Sequence, residues 1–213
     1  MTEWKLPEEY IFDNRSVRYG IIGDGPPVVV VHGTPWSSFN LRHLIHALSK
    51  AFTVYYYNRI VLIDPVAVAP WGSPFFQHVR KHESAFAGVP DYIHEAIVRA
   101  YVKTAAFESI EGAALDRIVL PWIEPGGKAA FYRQIAQADQ RYTDEVQPLY
   151  GQITKPVLIL WGCEDKWIPL EQGKVLRDMI PGSVLHLITD AGHLVIEEKP
   201  GRLVERILPF LQE

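Results

Sequence analysis

Cysteine is nearly absent. Cys163 is the single thiol of the chain, which excludes an internal disulfide framework and fits a reducing compartment. No apolar run approaches the roughly 20 residues that span a bilayer, and the charged opening "MTEWKLPEEY" has no apolar stretch of the kind found in secretory signals. A cytoplasmic location is the expectation. Basic charge is not in excess either: 21 Lys and Arg stand against 25 Asp and Glu, for a net charge of −4. That balance leaves no electrostatic footprint for nucleic acid or an anionic membrane. "HGTP" (residues 32–35) is not a phosphate-binding loop, because no glycine-rich turn there leads into a lysine. His43-x-x-His46 and His78-x-x-x-His82 have spacings that suit a metal on a helix, but neither motif supplies a third ligand. Both read as solvated helix faces. No cofactor is expected.

What is present is enough for one substantial core: 213 residues, 48% hydrophobic and 22% charged. Tyr10–Phe12 and Val17–Ile22 read as strands, and "VVVV" (Val28–Val31), apolar on both faces, reads as a central parallel strand. Leu41, Leu44, Ile45 and Leu48 follow at helical spacing, and Thr53–Tyr57 returns to the sheet. From Trp71 to about Tyr150 the chain turns helical and rich in scattered aromatics. Helices are expected from Asp91, as a cap, to about Ala106 and over Lys128–Ala138. Strand and helix then alternate again: Val157–Trp161, Glu171–Ile180, Val184–Ile188 and Gly201–Leu211. This alternation predicts an α/β fold with a mainly parallel sheet flanked by helices. It divides into core pieces at 1–70 and 151–213 around a helical insertion at 71–150.

Three stretches put reactive side chains where strands end: "VVVVHGTPWSS", "LILWGCEDKWIP" and "LITDAGHLVIEEKP". The carboxyl ends of strands are where open α/β sheets build their sites. Asp165 followed by His193 is the later part of the chain order nucleophile, acid, histidine. A histidine takes the nucleophile's proton, and an acid fixes its tautomer and stabilises the imidazolium. Backbone N–H groups after His32 can donate to a developing oxyanion. Cys163 precedes Glu164 and Asp165, which raises a thiol pKa rather than activating it.

With these motifs the chain resembles the α/β-hydrolase family, and most of all its capped branch of epoxide hydrolases, haloalkane dehalogenases and related ester and C–C hydrolases. The matching stretches are "HGTPWSS", "RIVLIDP", "GCEDKWIP" and "AGHLVIEEKP". The resemblance implies that Asp165 is the triad acid and His193 the base, with Gly33 and Thr34 at the oxyanion hole. It also implies that 71–150 is a cap lining a substrate pocket, with Trp36 and Trp71 at its wall. Asp64 is the alternative acid, since some dehalogenase relatives carry theirs after the equivalent strand. Thr34 stands where many dehalogenases have a halide-holding Asn, which weakens a halide substrate.

One element of that family is missing. The nucleophile belongs on a strand-to-helix elbow, G-x-S-x-G or its Asp counterpart. None of the serines, Ser16, Ser37, Ser38, Ser49, Ser73, Ser84, Ser109 and Ser183, has glycines two before and two after. The elbow belongs between Thr53–Tyr57 and Ile60–Ile63, on the order of 60–75 residues of strand and helix. Only Asn58 and Arg59 stand there. A parallel connection needs about a dozen residues or more, and a two-residue hairpin favours glycine at its second position. The expectation is a hydrolase of a small, largely apolar ester, epoxide or similar compound, with Ser and Asp both open as the absent nucleophile. The alternative is an inactive, truncated form that binds a ligand or partner. Loss of a central strand also predicts weakened stability or self-association.

Overall fold

A computed structural model describes residues 8–12, 15–28, 30, 41–54, 60–153 and 156–212. Strands β1 (Glu8–Phe12) and β2 (Arg15–Tyr19) form an antiparallel hairpin. β3 (Pro27–Val28) pairs in parallel with β4 (Thr53–Val54), joined by helix α1 (Arg42–Leu48). β5 (Ile60–Ile63), β6 (Val157–Gly162) and β7 (Val184–Ile188) form a parallel three-stranded sheet in that order. Parallel neighbours need helical crossovers. The β6–β7 crossover is α8 (Leu170–Met179), and after β7 come the short α9 (Val195–Glu198) and the closing α10 (Pro200–Gln212).

β6 shows how the sequence pattern makes the core. All six of its residues are buried, and their side chains alternate between faces. Leu158 and Leu160 join Val28, Val54, Leu44, Leu203 and Ile207 on one face. Val157, Ile159 and Trp161 meet Ile168, Leu176 and Ile180 on the other. The first face therefore binds the β3–β4 pair to the main sheet through side chains, although no ladder joins them among the described residues. The β4–β5 junction, residues 55–59, lies outside the described residues, as do Val29 and Val31 of the "VVVV" run.

The described residues of the long segment between β5 and β6 carry helices and no strand: α2 (Pro74–Lys81), α3 (Glu83–Ala87), α4 (Asp91–Ala105), α5 (Gly112–Ile123), α6 (Gly127–Ala136), α7 (Arg141–Val146) and a 3₁₀ turn at Gln147–Gln152. Val98, Val102, Val119, Phe131, Tyr132 and neighbours form an apolar cluster there that also takes in Leu194 and Trp167. His94 is buried in it with both ring nitrogens engaged. Its Nε2 lies 2.8 Å from the Trp122 carbonyl, which only accepts, so Nδ1 accepts from the Tyr132 hydroxyl at 3.0 Å. Burial pushes the Tyr132 pKa up to about 12. One expectation needs correction: Asp91 does not cap α4. Pro90 holds the cap position, and the Asp91 carboxylate instead receives the Lys128 ammonium at 2.6 Å.

Candidate active site

The site assembles where β5 and β6 end. β6 leads through Gly162 into a tight loop carrying Asp165, whose side chain is enclosed and fully used. Its Oδ1 accepts the N–H groups of Trp167 at 2.8 Å and Ile168 at 2.9 Å. Its Oδ2 lies 2.8 Å from His193 Nδ1. An ionised carboxylate only accepts, so Nδ1 carries the hydrogen and Nε2 is left with its lone pair. Among the described residues Nε2 has no partner, and His193 stands at the wall of a cavity. Both side chains are buried, at 0% and 7% exposure, so the pair is shielded from solvent screening. The indole of Trp167 lies over the imidazole at 5.0 Å and 34°, and stacks on Tyr101 of α4 at 4.3 Å. Such a pair can hold the imidazole in one tautomer and stabilise its protonated form.

Asp64, the alternative acid, does not reach the histidine ring. It ends β5 with φ +40°, in the left-handed region that disfavours a non-glycine residue. Its Oδ1 accepts the Gly162 N–H at 2.8 Å, while Oδ2 is buried without a partner among the described residues. Burial first, and then the nearby Asp165 charge, hold its pKa well above the ordinary carboxylate value. The Cys163 thiol is half-buried and its pKa is raised, first by burial and then by Glu164.

The cavity has a volume of about 1930 Å³ and lies between β5 with its following loop and the helices α2, α4 and α6. Trp71, Phe75, Tyr101, Trp167 and His193 are among its walls. Trp71 is held by its indole N–H, which donates to Thr143 Oγ1 at 2.9 Å. Gly33, Thr34 and Trp36 lie outside the described residues. The sequence does not show Trp167 as a neighbour of the histidine, or Tyr101 as a neighbour of Trp167. The "DKWIP" run held the signal for Trp167, two residues past Asp165.

Residues 55–206 match the sequence model of the alpha/beta hydrolase family. The chain belongs to that family. An alpha/beta hydrolase fold protein from Burkholderia ambifaria superposes with a TM-score of 0.91 at 33% identity, covering 97% of this chain and 98% of that one. A meta-cleavage product hydrolase from Pseudomonas fluorescens shares the fold at 17% identity and a TM-score of 0.79, over 97% of this chain and 98% of the other. Among curated alpha/beta hydrolase relatives, the uncharacterised hydrolase YugF of Bacillus subtilis is 30% identical over 142 residues, 62% of this chain and 52% of YugF. A 2-hydroxy-6-oxononadienedioate/2-hydroxy-6-oxononatrienedioate hydrolase of Klebsiella pneumoniae is 33% identical over 75 residues, 35% of this chain and 26% of that protein. The chain thus spans about half, or less, of the length of the curated relatives it matches. Among the described residues no helix is long and apolar enough to cross a membrane.

Proposed function

We propose that this chain carries the acid and histidine of a hydrolase that acts through a covalent intermediate, and that it lacks the nucleophile. The observation that carries the reading is the buried 2.8 Å pair of His193 and Asp165 at the cavity wall. In a complete site, His193 Nε2 takes the proton from a serine hydroxyl as the oxygen attacks a carbonyl carbon. It then gives that proton to the leaving group and activates the water that releases the acid. Asp165 stabilises the imidazolium throughout. Backbone N–H groups at Gly33 and Thr34 serve the oxyanion, and Trp36 and Trp71 border the substrate. Residues 71–150 act as a cap over core pieces 1–70 and 151–213; the apolar cluster of the helical segment, which draws only Leu194 and Trp167 from 151–213, supports this division.

The walls favour a small, largely apolar substrate of the capped branch. A carbonyl compound suits the relatives best, since their names describe meta-cleavage product hydrolases and an esterase. That supports serine over aspartate as the absent nucleophile. Three observations support the absence itself. No G-x-S-x-G occurs. β5 has a ladder partner on one edge only among the described residues. The cavity is also about twice the upper end of the roughly 300–1,000 Å³ of ordinary ligand pockets. The same space supports a second reading, a truncated form that binds apolar ligands without turning them over, or that self-associates through β5.

The test is to insert, between Tyr57 and Asn58, the strand–elbow–helix segment of a relative that has G-x-S-x-G, and to assay activated esters. The expected result is ester hydrolysis that disappears with His193→Ala. A folded insertion chain without His193-dependent hydrolysis of esters, epoxides or C–C substrates overturns the enzyme reading. The binding reading then stands or falls on calorimetric titration of the 213-residue chain with the same compounds.

A further inference from the structure

Glu198 stands five residues after His193, at the end of α9, and its carboxylate is taken up by backbone alone. Its Oε1 accepts the N–H groups of Phe107 at 2.7 Å and Glu108 at 2.8 Å. Its Oε2 accepts the N–H of Gly192 at 2.8 Å. Phe107 and Glu108 follow the last turn of α4, and Gly192 directly precedes the histidine. One carboxylate therefore ties the end of a helix in the long segment to the loop that carries the imidazole.

The two backbones also touch. A Cβ added at Gly192 would lie 2.5 Å from the Ala105 carbonyl oxygen and 2.8 Å from the Phe107 nitrogen, so only glycine permits this approach. Leu194 N–H donates to the same Ala105 carbonyl at 3.1 Å. On the opposite side, a Cβ at Gly162 would run into the Gly192 carbonyl oxygen. The histidine loop is sandwiched between the end of β6 and the end of α4. Lys199 adds a side-chain ion pair between the same two segments, its Nζ 2.8 Å from Glu108 Oε1. Asp165 orients the imidazole ring through Nδ1, but that bond does not hold the main chain on which the ring is mounted. Glu198 does.

We propose that Glu198 is a positioning residue that locks the His193 loop onto the C-terminal end of α4, so that the imidazole is placed by the helical segment as well as by Asp165. The catalytic meaning of this lock rests on the reading of His193 as the triad base; the lock itself does not. A carboxylate offers two acceptor oxygens for these three donors. Glutamine keeps one oxygen for Phe107 and Glu108 but turns an N–H donor toward the Gly192 N–H, aspartate falls a methylene short, and alanine offers nothing.

The experiment uses isotope-labelled full-length protein, with amide hydrogen exchange at Phe107, Glu108 and Gly192 and the His193 ring resonances as readouts. In Glu198→Ala the three amides are expected to exchange about tenfold faster or more, and the His193 Nδ1–H resonance to broaden or vanish. Leu160, in the centre of β6, keeps its protection. Glu198→Asp recovers part of both signals. A folded Glu198→Ala protein whose His193 resonance is unchanged overturns the proposal, whether or not the amides are freed, since a merely structural tie does not move the ring. If that variant does not fold, Glu198→Gln decides on the same two readouts, with the same unchanged resonance as the contrary result. Neither readout needs turnover. An inactive chain leaves this test intact, and its failure leaves the Asp165–His193 pair unaffected.

Discussion

β5 and β6 are neighbours of nearly identical composition and quite different circumstances. "IVLI" and "VLILWG" are both apolar on both faces, and the two strands pair directly, Ile60 with Val157 through Ile63 with Leu160. Every residue of β6 is buried, whereas every residue of β5 is only half-buried. The cause is neighbours, not residue type. β6 has β5 on one edge and β7 on the other, with packed side chains on both faces. β5 has β6 alone among the described residues and faces the cavity. The contrast continues in the aspartates beyond the strands. Asp165 accepts two backbone N–H groups and holds a histidine, whereas Asp64 has one bond and a buried oxygen without a partner.

A matched pair of substitutions probes the contrast most strongly. Leu160→Ala, at a fully buried position, is expected to cost about 2–5 kcal/mol in urea unfolding. Leu62→Ala, on half-buried β5, should cost less than half of that. Equal losses would mean that the open side of β5 is covered after all. Next in size is Asp165→Ala, which strands the Trp167 and Ile168 N–H groups and is expected to cost about 2 kcal/mol or more; Asp165→Asn, which keeps an acceptor oxygen, should cost less.

Gly173→Ala sharpens the view of the β6 side. Alanine normally stabilises a helix interior by about 1 kcal/mol over glycine, but here the new Cβ would lie 2.7 Å from the Trp161 indole. Destabilisation of about 1–3 kcal/mol is the expectation, and a gain in stability would mean that the indole moves freely.

The smallest effect concerns β5 through pH. The Asp64 pKa is raised in the folded state, so its contribution to stability is present below the unfolded-state value, about 4, and is lost as pH rises through the folded value. Asp64→Asn keeps an acceptor for the Gly162 N–H and removes the charge. It should therefore raise the urea midpoint near neutral pH and leave it unchanged in acid. A lower midpoint at neutral pH would mean that an ionised Asp64 has a partner.

The sequence announced most of the sheet because burial on both faces writes an unbroken apolar run, as in β6. The helix α4 was expected from Asp91 as a cap, a place that Pro90 takes, and its buried residues His94, Val98, Val102 and Ala105 stand at helical spacing. α5 was not, since Pro121 sits inside it and reads as a breaker. α2 carried a start signal in Ser73-Pro74 that went unused; Ser73 Oγ does accept the Phe76 N–H. In the site, Asp165 and His193 were readable because the chemistry needs those types at strand ends. The tie made by Glu198 to residues 90 and 91 positions away could not be read, because its acceptors meet backbone N–H groups, and any sequence supplies those. The wall made by Tyr101 and Trp167 was hidden for a related reason, since it joins two elements that only the fold brings together.

The central claim, an acid–histidine pair without its nucleophile, is tested most directly by exposing the purified, folded 213-residue chain to an active-site-directed fluorophosphonate and measuring the intact mass. No adduct is expected, with or without His193. A stoichiometric adduct on the folded chain that is lost in His193→Ala would contradict it, because some serine of this chain would then act as the nucleophile.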